Sequence, residues 1–209
     1  YAQRSHLPKD EFKKSVQQAK ADIKSGDIFQ VVLSQKFERK TLTSSTNIYR
    51  SLRRINPSPY LFHLKFQEFD IIGSSPEMMV NVNQEVVNIR PIAGTRKRGK
   101  NDEEDEILSK DLLADEKEKA EHLMLVDLGR NDVGRVSKIG SVDVTEFMQI
   151  EKYSHVMHIV SNVTGKLRSG CDNYDALMSG FPAGTVTGAP KIRAMNIINE
   201  LESDPRGIY

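Results

Sequence analysis

The chain has 209 residues, of which 38% are hydrophobic and 28% charged, and a formal net charge of +1. That is enough apolar material for one sizeable core or two small ones, and the charge is too near neutral to make nucleic acid or an anionic membrane the main partner. A single cysteine, Cys171, excludes an internal disulfide and fits a reducing, cytoplasmic setting. No apolar stretch approaches the ~20 residues that span a bilayer, and no signal-peptide pattern opens the chain.

Phe12, Val16, Ala19 and Ile23 recur at helical spacing, which predicts a helix from about Pro8 to Ser25 with Gly26 at its end. The β-branched run from Ile28 to Phe37 reads as a strand. Ile48, Leu52 and Ile55 mark a second helix, stopped by Asn56-Pro57-Ser58-Pro59. Tyr60–Phe66, Asp70–Gly73, Met78–Val82 and Val86–Arg90 read as short strands, with Asn83-Gln84 as a hairpin tip. The charged stretch from Arg96 to Glu106 reads as a solvated loop. A long helix follows from about Asp105 to Leu128, then strands at Val142–Phe147 and Tyr153–Leu167 and a helix near Asn173–Met178. A glycine-bearing loop from Phe181 to Gly188 leads into a last helix, Ala189 to Leu201, whose apolar face holds Ile192, Met195, Ile198 and Leu201. Strands and helices cluster separately, so the expected class is α+β with largely antiparallel sheet.

Several residue groups could carry chemistry. Glu118 and Glu121 lie three apart and share a helix face. Glu121 also opens the apolar run Leu123–Val126, where a carboxylate must be paired, protonated or metal-bound, and such oxygens suit Mg²⁺. Taken alone, the pair reads as well as a solvated face. Asp127 to Asp132 reads as a buried polar network. His155 and His158 point to opposite faces of a strand and so do not form a metal pair. His158 is either a core histidine or a general acid/base. Gly184 to Lys191 runs into the last helix, with Thr187 or Gly188 as cap. It is either a tight loop or an anion site at a helix start, and its glycine spacing is not that of a phosphate P-loop. Arg90 to Arg96 ends a strand with Gly94 and Thr95, which could offer an amide and a hydroxyl to a ligand.

Together and in order, these motifs resemble the chorismate-binding enzymes. The resemblance runs from Gly26–Ser34 through Gly73–Glu77, Pro91–Thr95, Glu118–His122, Asp127–Asp132, His155–His158 and Gly184–Lys191 to Arg206–Tyr209. It implies an α+β fold of antiparallel sheets packed with helices, and it implies roles. Glu121 would hold Mg²⁺ with Glu118 beside it, and the metal would hold the ring carboxylate of chorismate. Glu77 would be the general acid for the departing 4-hydroxyl. Gly94 and Thr95 would contact substrate. His158 would assist the proton removal that expels pyruvate. Thr185 and Gly188 would line the carboxylate pocket, and Tyr209 would bind the pyruvyl group.

Within the family, the resemblance implies a branch. Members that add water carry a lysine where this chain has Gln30, a substrate-side position. Aminodeoxychorismate synthases often carry a nucleophilic lysine where it has Ala93. With neither lysine, direct amination to anthranilate is expected, with ammonia from a glutamine amidotransferase partner. Aminodeoxychorismate synthase and a non-catalytic chorismate-binding fragment are the alternatives. Pro59, Tyr60 and Leu61 resemble part of a tryptophan inhibitor site. The family's N-terminal domain and C-terminal segment have no counterpart here, so residues 1–209 are expected to be a partial catalytic domain, inactive alone.

Overall fold

The structure, a computed structural model, describes residues 4–208. Tyr209, expected to bind the pyruvyl group, lies outside the described residues. The chain runs β1 (Arg4–Ser5), α1 (Lys9–Ser25), β2 (Gln30–Val31), β3 (Phe37–Glu38), α2 (Ser45–Ile55), β4 (Tyr60–Lys65), β5 (Asp70–Ser75), β6 (Asn81–Asn83), β7 (Val86–Ile89) and β8 (Ile92–Lys97). It continues with α3 (Asp102–Ala114), α4 (Glu116–Gly134), β9 (Asp143–Lys152), β10 (Val156–Lys166), α5 (Asn173–Gly180), α6 (Gly184–Thr187), β11 (Gly188–Ala189) and α7 (Lys191–Leu201).

Every strand pairing is antiparallel, as the α+β reading expects. The main sheet has five strands and centres on β10. One edge of β10 carries β9 along its length. The other carries β8 near the start and β7 near the end, and β6 pairs β7. The β6–β7 hairpin turns through Gln84 and Glu85, both at positive φ, one residue beyond the expected tip. Helix α4 packs across β10 and β8. Val126 and Val133 of α4 meet Val87 and Val163 in the larger core, while Met157 and Ile159 pack under Leu112 of α3 in a smaller one.

The structure corrects several expectations. Ile28–Phe37 is not one strand: only Gln30–Val31 and Phe37–Glu38 pair, with different partners. Arg96–Glu106 is not a solvated loop. Strand β8 runs to Lys97, Asn101 caps α3 through the Glu104 amide, and Asp105 is buried. There Asp105 accepts from the Arg98 guanidinium and the Gly99 amide, which together hold its carboxyl down to about 2. The single long helix is two. Asp115 ends α3, and its side chain accepts from the Lys117 and Glu118 amides to start α4. Helix α7 begins after Pro190 without a side-chain cap, and neither Thr187 nor Gly188 caps it. Its buried residues are Ala194, Ile197 and Ile198, whereas Ile192 and Met195 are exposed. Among the described residues no helix is long and apolar enough to cross a membrane.

Candidate active site

The residues expected to carry chemistry gather around α4 in three places. At its N-terminal end lie Gly94 and Thr95 of β8, His158 of β10, and Glu118. Gly94 takes a positive φ of 70°, and a Cβ there would come within 3.2 Å of Glu118 Oε2 and 3.1 Å of Leu112. The positive φ favours glycine, and a Cβ would also press the Glu118 carboxylate and Leu112 back by a few tenths of an ångström. The Gly94 carbonyl oxygen lies 2.8 Å from His158 Nδ1, and Thr95 Oγ1 lies 3.1 Å from the same nitrogen. A carbonyl can only accept, so Nδ1 carries the hydrogen and Nε2 of the neutral ring keeps the lone pair. His158 is half-buried and makes polar contacts, so it is not an enclosed core histidine. His155 is exposed.

The second place is a cavity of about 240 Å³ that brings together Glu77, Thr185 and Asp132. Glu77 follows β5, where the Ser75 hydroxyl bonds its backbone at both the carbonyl (3.1 Å) and the amide (3.3 Å). Burial pushes the Glu77 carboxyl above the usual carboxylate range. Thr185 is delivered by the short turn α6.

The third place is a larger cavity of about 900 Å³, lined among others by Gln30, Glu121, Asn131, Asp132 and Lys191. Gln30 reaches it because β2 pairs β11, and Gly188 makes that pairing possible. It has a φ of 136°, and any Cβ would run into the Gln30 carbonyl. Gly188 thus acts through backbone packing, and neither cavity includes it. Asp132 borders both cavities and forms a nearly buried ion pair with Lys191, at 2.8 Å and 2.9 Å to its two oxygens. The polar network expected over Asp127–Asp132 is therefore half realised, because Asp127 pairs with Arg130 at the surface.

Glu118 and Glu121 share α4 but face different neighbours. Glu118 looks toward Gly94 and Arg96, while Glu121 borders the large cavity. Among the described residues no group of three or more His, Cys, Asp or Glu side chains is placed to hold a metal. Glu121, which alone of the two borders the large cavity, fits Mg²⁺, an ion that takes one or two protein carboxylates and fills the rest of its shell with water and substrate.

The fully buried member of this stretch is His122, a residue the sequence reading passed over in favour of its neighbour Glu121. His122 Nε2 lies 2.7 Å from Ser161 Oγ, which also accepts the Met148 amide, and burial pushes its imidazole down to about 4. Its Nδ1 has no partner among the described residues. Pro59, Tyr60 and Leu61 lie where the turn after α2 enters β4, and Tyr60 pairs Ser75, which lines the smaller cavity beside Glu77. Ser58 and Ser74 pin that turn to the end of β5.

The site thus sits on a five-stranded antiparallel sheet under a helix that carries Glu118 and Glu121. The sequence model of the chorismate binding enzyme family matches residues 1–209, and the chain belongs to that family. It is 59% identical over 206 residues to anthranilate synthase component 1 of Aquifex aeolicus, covering 99% of this chain and 42% of that protein. It is 56% identical to the Bacillus subtilis component 1, covering 98% and 40%. The crystal structure of anthranilate synthase component I from Streptococcus pneumoniae superposes with a TM-score of 0.88 at 47% identity, covering 98% and 45%. The menaquinone-specific isochorismate synthase of Escherichia coli, at 20% identity and a TM-score of 0.79 over 99% and 48%, shares the fold. The chain spans about two fifths of the length of the curated relatives it matches.

Proposed function

We propose that this chain is part of an anthranilate-forming subunit, which aminates chorismate with ammonia and expels pyruvate. The observation that carries this is the likeness of 56–60% over nearly the whole chain to proteins named anthranilate synthase component 1. Gln30 and Ala93 agree with it, because neither can serve as the lysine base or lysine nucleophile of the other branches.

The chain's own residues suit the steps. Burial keeps Glu77 protonated at higher pH than an ordinary carboxyl, which fits a general acid. In this reading ammonia adds to the ring, and Glu77 gives its proton to the 4-hydroxyl, which leaves as water. His158 Nε2 then takes the ring proton whose loss expels pyruvate and makes the ring aromatic. Glu121, with Glu118 one turn earlier, would hold Mg²⁺, and Mg²⁺ when bound supplies positive charge opposite the ring carboxylate. Gly94, Thr95 and Thr185 contact the substrate. A glutamine amidotransferase subunit supplies the ammonia, and tryptophan at Pro59–Leu61 provides feedback.

The test is product identification with the full-length subunit, chorismate, ammonium and Mg²⁺. Anthranilate and pyruvate in equal amounts are expected; an aminated product that retains the enolpyruvyl group would overturn the reading. Glu121→Gln should abolish Mg²⁺-dependent turnover, and near-normal activity in that variant would sink the metal assignment.

A further inference from the structure

We infer that Tyr153 and Glu151 are positioning residues for His158, fixing the plane of its imidazole from the side opposite Gly94. The inference rests on His158 being the base of the proposed reaction. No step of the proposed reaction uses Tyr153, Glu151 or Arg90.

The arrangement follows from the β9–β10 hairpin. Glu151 on β9 sits directly across from His158 on β10, and Tyr153 begins the turn between them, its amide bonded to the Val156 carbonyl at 2.8 Å. The Tyr153 hydroxyl donates to Glu151 Oε2 at 2.7 Å. The other oxygen, Oε1, accepts from the Arg90 guanidinium, which also lies 3.6 Å from Glu146. Burial works against the Glu151 charge, but the bonds from Tyr153 and Arg90 outweigh it and hold the carboxyl below its ordinary range. Each oxygen thus accepts a bond, Oε1 from Arg90 and Oε2 from Tyr153, and the carboxylate steadies the tyrosine ring. That ring meets the imidazole edge-on, with centroids 5.5 Å apart and planes at 63°, a favoured geometry for two such rings.

His158 is consequently held at two points. Nδ1 is tied to the Gly94 carbonyl, and a ring flank rests on Tyr153. Rotation about χ2 would give up both contacts at once. The Arg90–Glu151 pair is half-exposed, and pairs of that kind contribute little to stability. Its placement across the strand from the base is better accounted for by orientation. A general base needs its lone pair aimed at one hydrogen, and a misplacement of about 1 Å can cost on the order of a hundredfold in rate.

The experiment uses the full-length subunit and three variants. Tyr153→Phe keeps the ring and loses the hydroxyl. Tyr153→Leu loses the ring. Glu151→Gln weakens the anchor and serves as the second route if Tyr153→Leu does not fold. With saturating ammonium, Tyr153→Leu should lower kcat by about tenfold to a hundredfold while KM for chorismate stays within about twofold. Tyr153→Phe and Glu151→Gln, which keep the ring and remove or weaken its anchor, should each lower kcat by about threefold, less than Tyr153→Leu. Wild-type kcat in Tyr153→Leu would overturn the inference, as would equal loss in the Phe and Leu variants. Nitrogen-15 shifts of the His158 imidazole give a readout independent of turnover. The wild type should show one tautomer, protonated at Nδ1, and Tyr153→Leu should show a mixture; an unchanged spectrum would count against positioning. If the wild type makes no anthranilate, the proposed function fails, and the imidazole shifts still decide the positioning role.

Discussion

Glu77 combines a cost and a use in one group. Burial raises its carboxyl, so its protonated form persists to higher pH than that of a free glutamate. For stability, a raised carboxyl contributes fully below its unfolded value, and that contribution is lost as pH rises through the folded value. Glu77→Gln removes the ionisable group. The variant should therefore lose about a hundredfold to ten-thousandfold in kcat, yet unfold at a higher temperature than the wild type at pH 8 by calorimetry. His122 carries the opposite sign. Its imidazole, pushed down to about 4, is neutral in the fold, so its contribution is present above about 6.5 and is lost as pH falls toward 4. Urea midpoints should show about 2 kcal/mol less stability at pH 5 than at pH 7 from this group, and His122→Gln should flatten that slope. Neither property is written in the residue types. Glu77 is legible only through the family motif, and the burial of His122 depends on Ser161, far along the chain.

At the scale of elements, the Asp132–Lys191 pair joins α4 to the start of α7 and holds the segment that carries Thr185 and Gly188. Burial pushes the Asp132 carboxyl up, against the pull of Lys191. Lys191→Met would leave that carboxylate buried without its partner. It should cost about 3–5 kcal/mol in urea unfolding, and more at pH 8 than at pH 5, where Asp132 more readily takes a proton. Gly188→Ala should separate β2 from β11 and empty Gln30 from the large cavity, read as loss of amide protection at Gln30 and Ala189. Element types were largely legible, because Phe12–Ile23 and Ile48–Ile55 have clear helical spacing and 60–66 alternates. Boundaries were less so. Asp115 ends one helix through its backbone amide and starts the next with its side chain, and the charged run at 96–106 folds because Asp105 finds Arg98 and the Gly99 amide. A charge pattern does not reveal which charges meet. The α7 face was misread for the same reason: Ile192 and Met195 fit the helical period as well as Ala194 and Ile197, and only the neighbours choose between them.

At the scale of the whole molecule, β4 and β5 form a separate two-stranded sheet whose inner face, with Leu61 and His63, is covered by α2. Its other face carries Tyr60, Phe62, Leu64 and Phe66, all exposed, with Phe69 stacked on Phe66 at 4.9 Å. A contiguous apolar sheet face of this kind favours association. The 209-residue chain alone should therefore bind a hydrophobic dye and self-associate in light scattering, and Phe62→Ser with Leu64→Lys should reduce both. The sequence by itself determined the family, the antiparallel α+β class and most of the candidate residues, because these depend on local period and on motifs in order. Only the tertiary structure decided that Glu118 and Glu121 face different neighbours, that Asp132 borders both cavities, and that Tyr153 lies against His158. Most of those relations join residues tens of positions apart, and even Tyr153 and His158, five apart, meet only through the β9–β10 turn; packing in three dimensions, not spacing along the chain, brings them together.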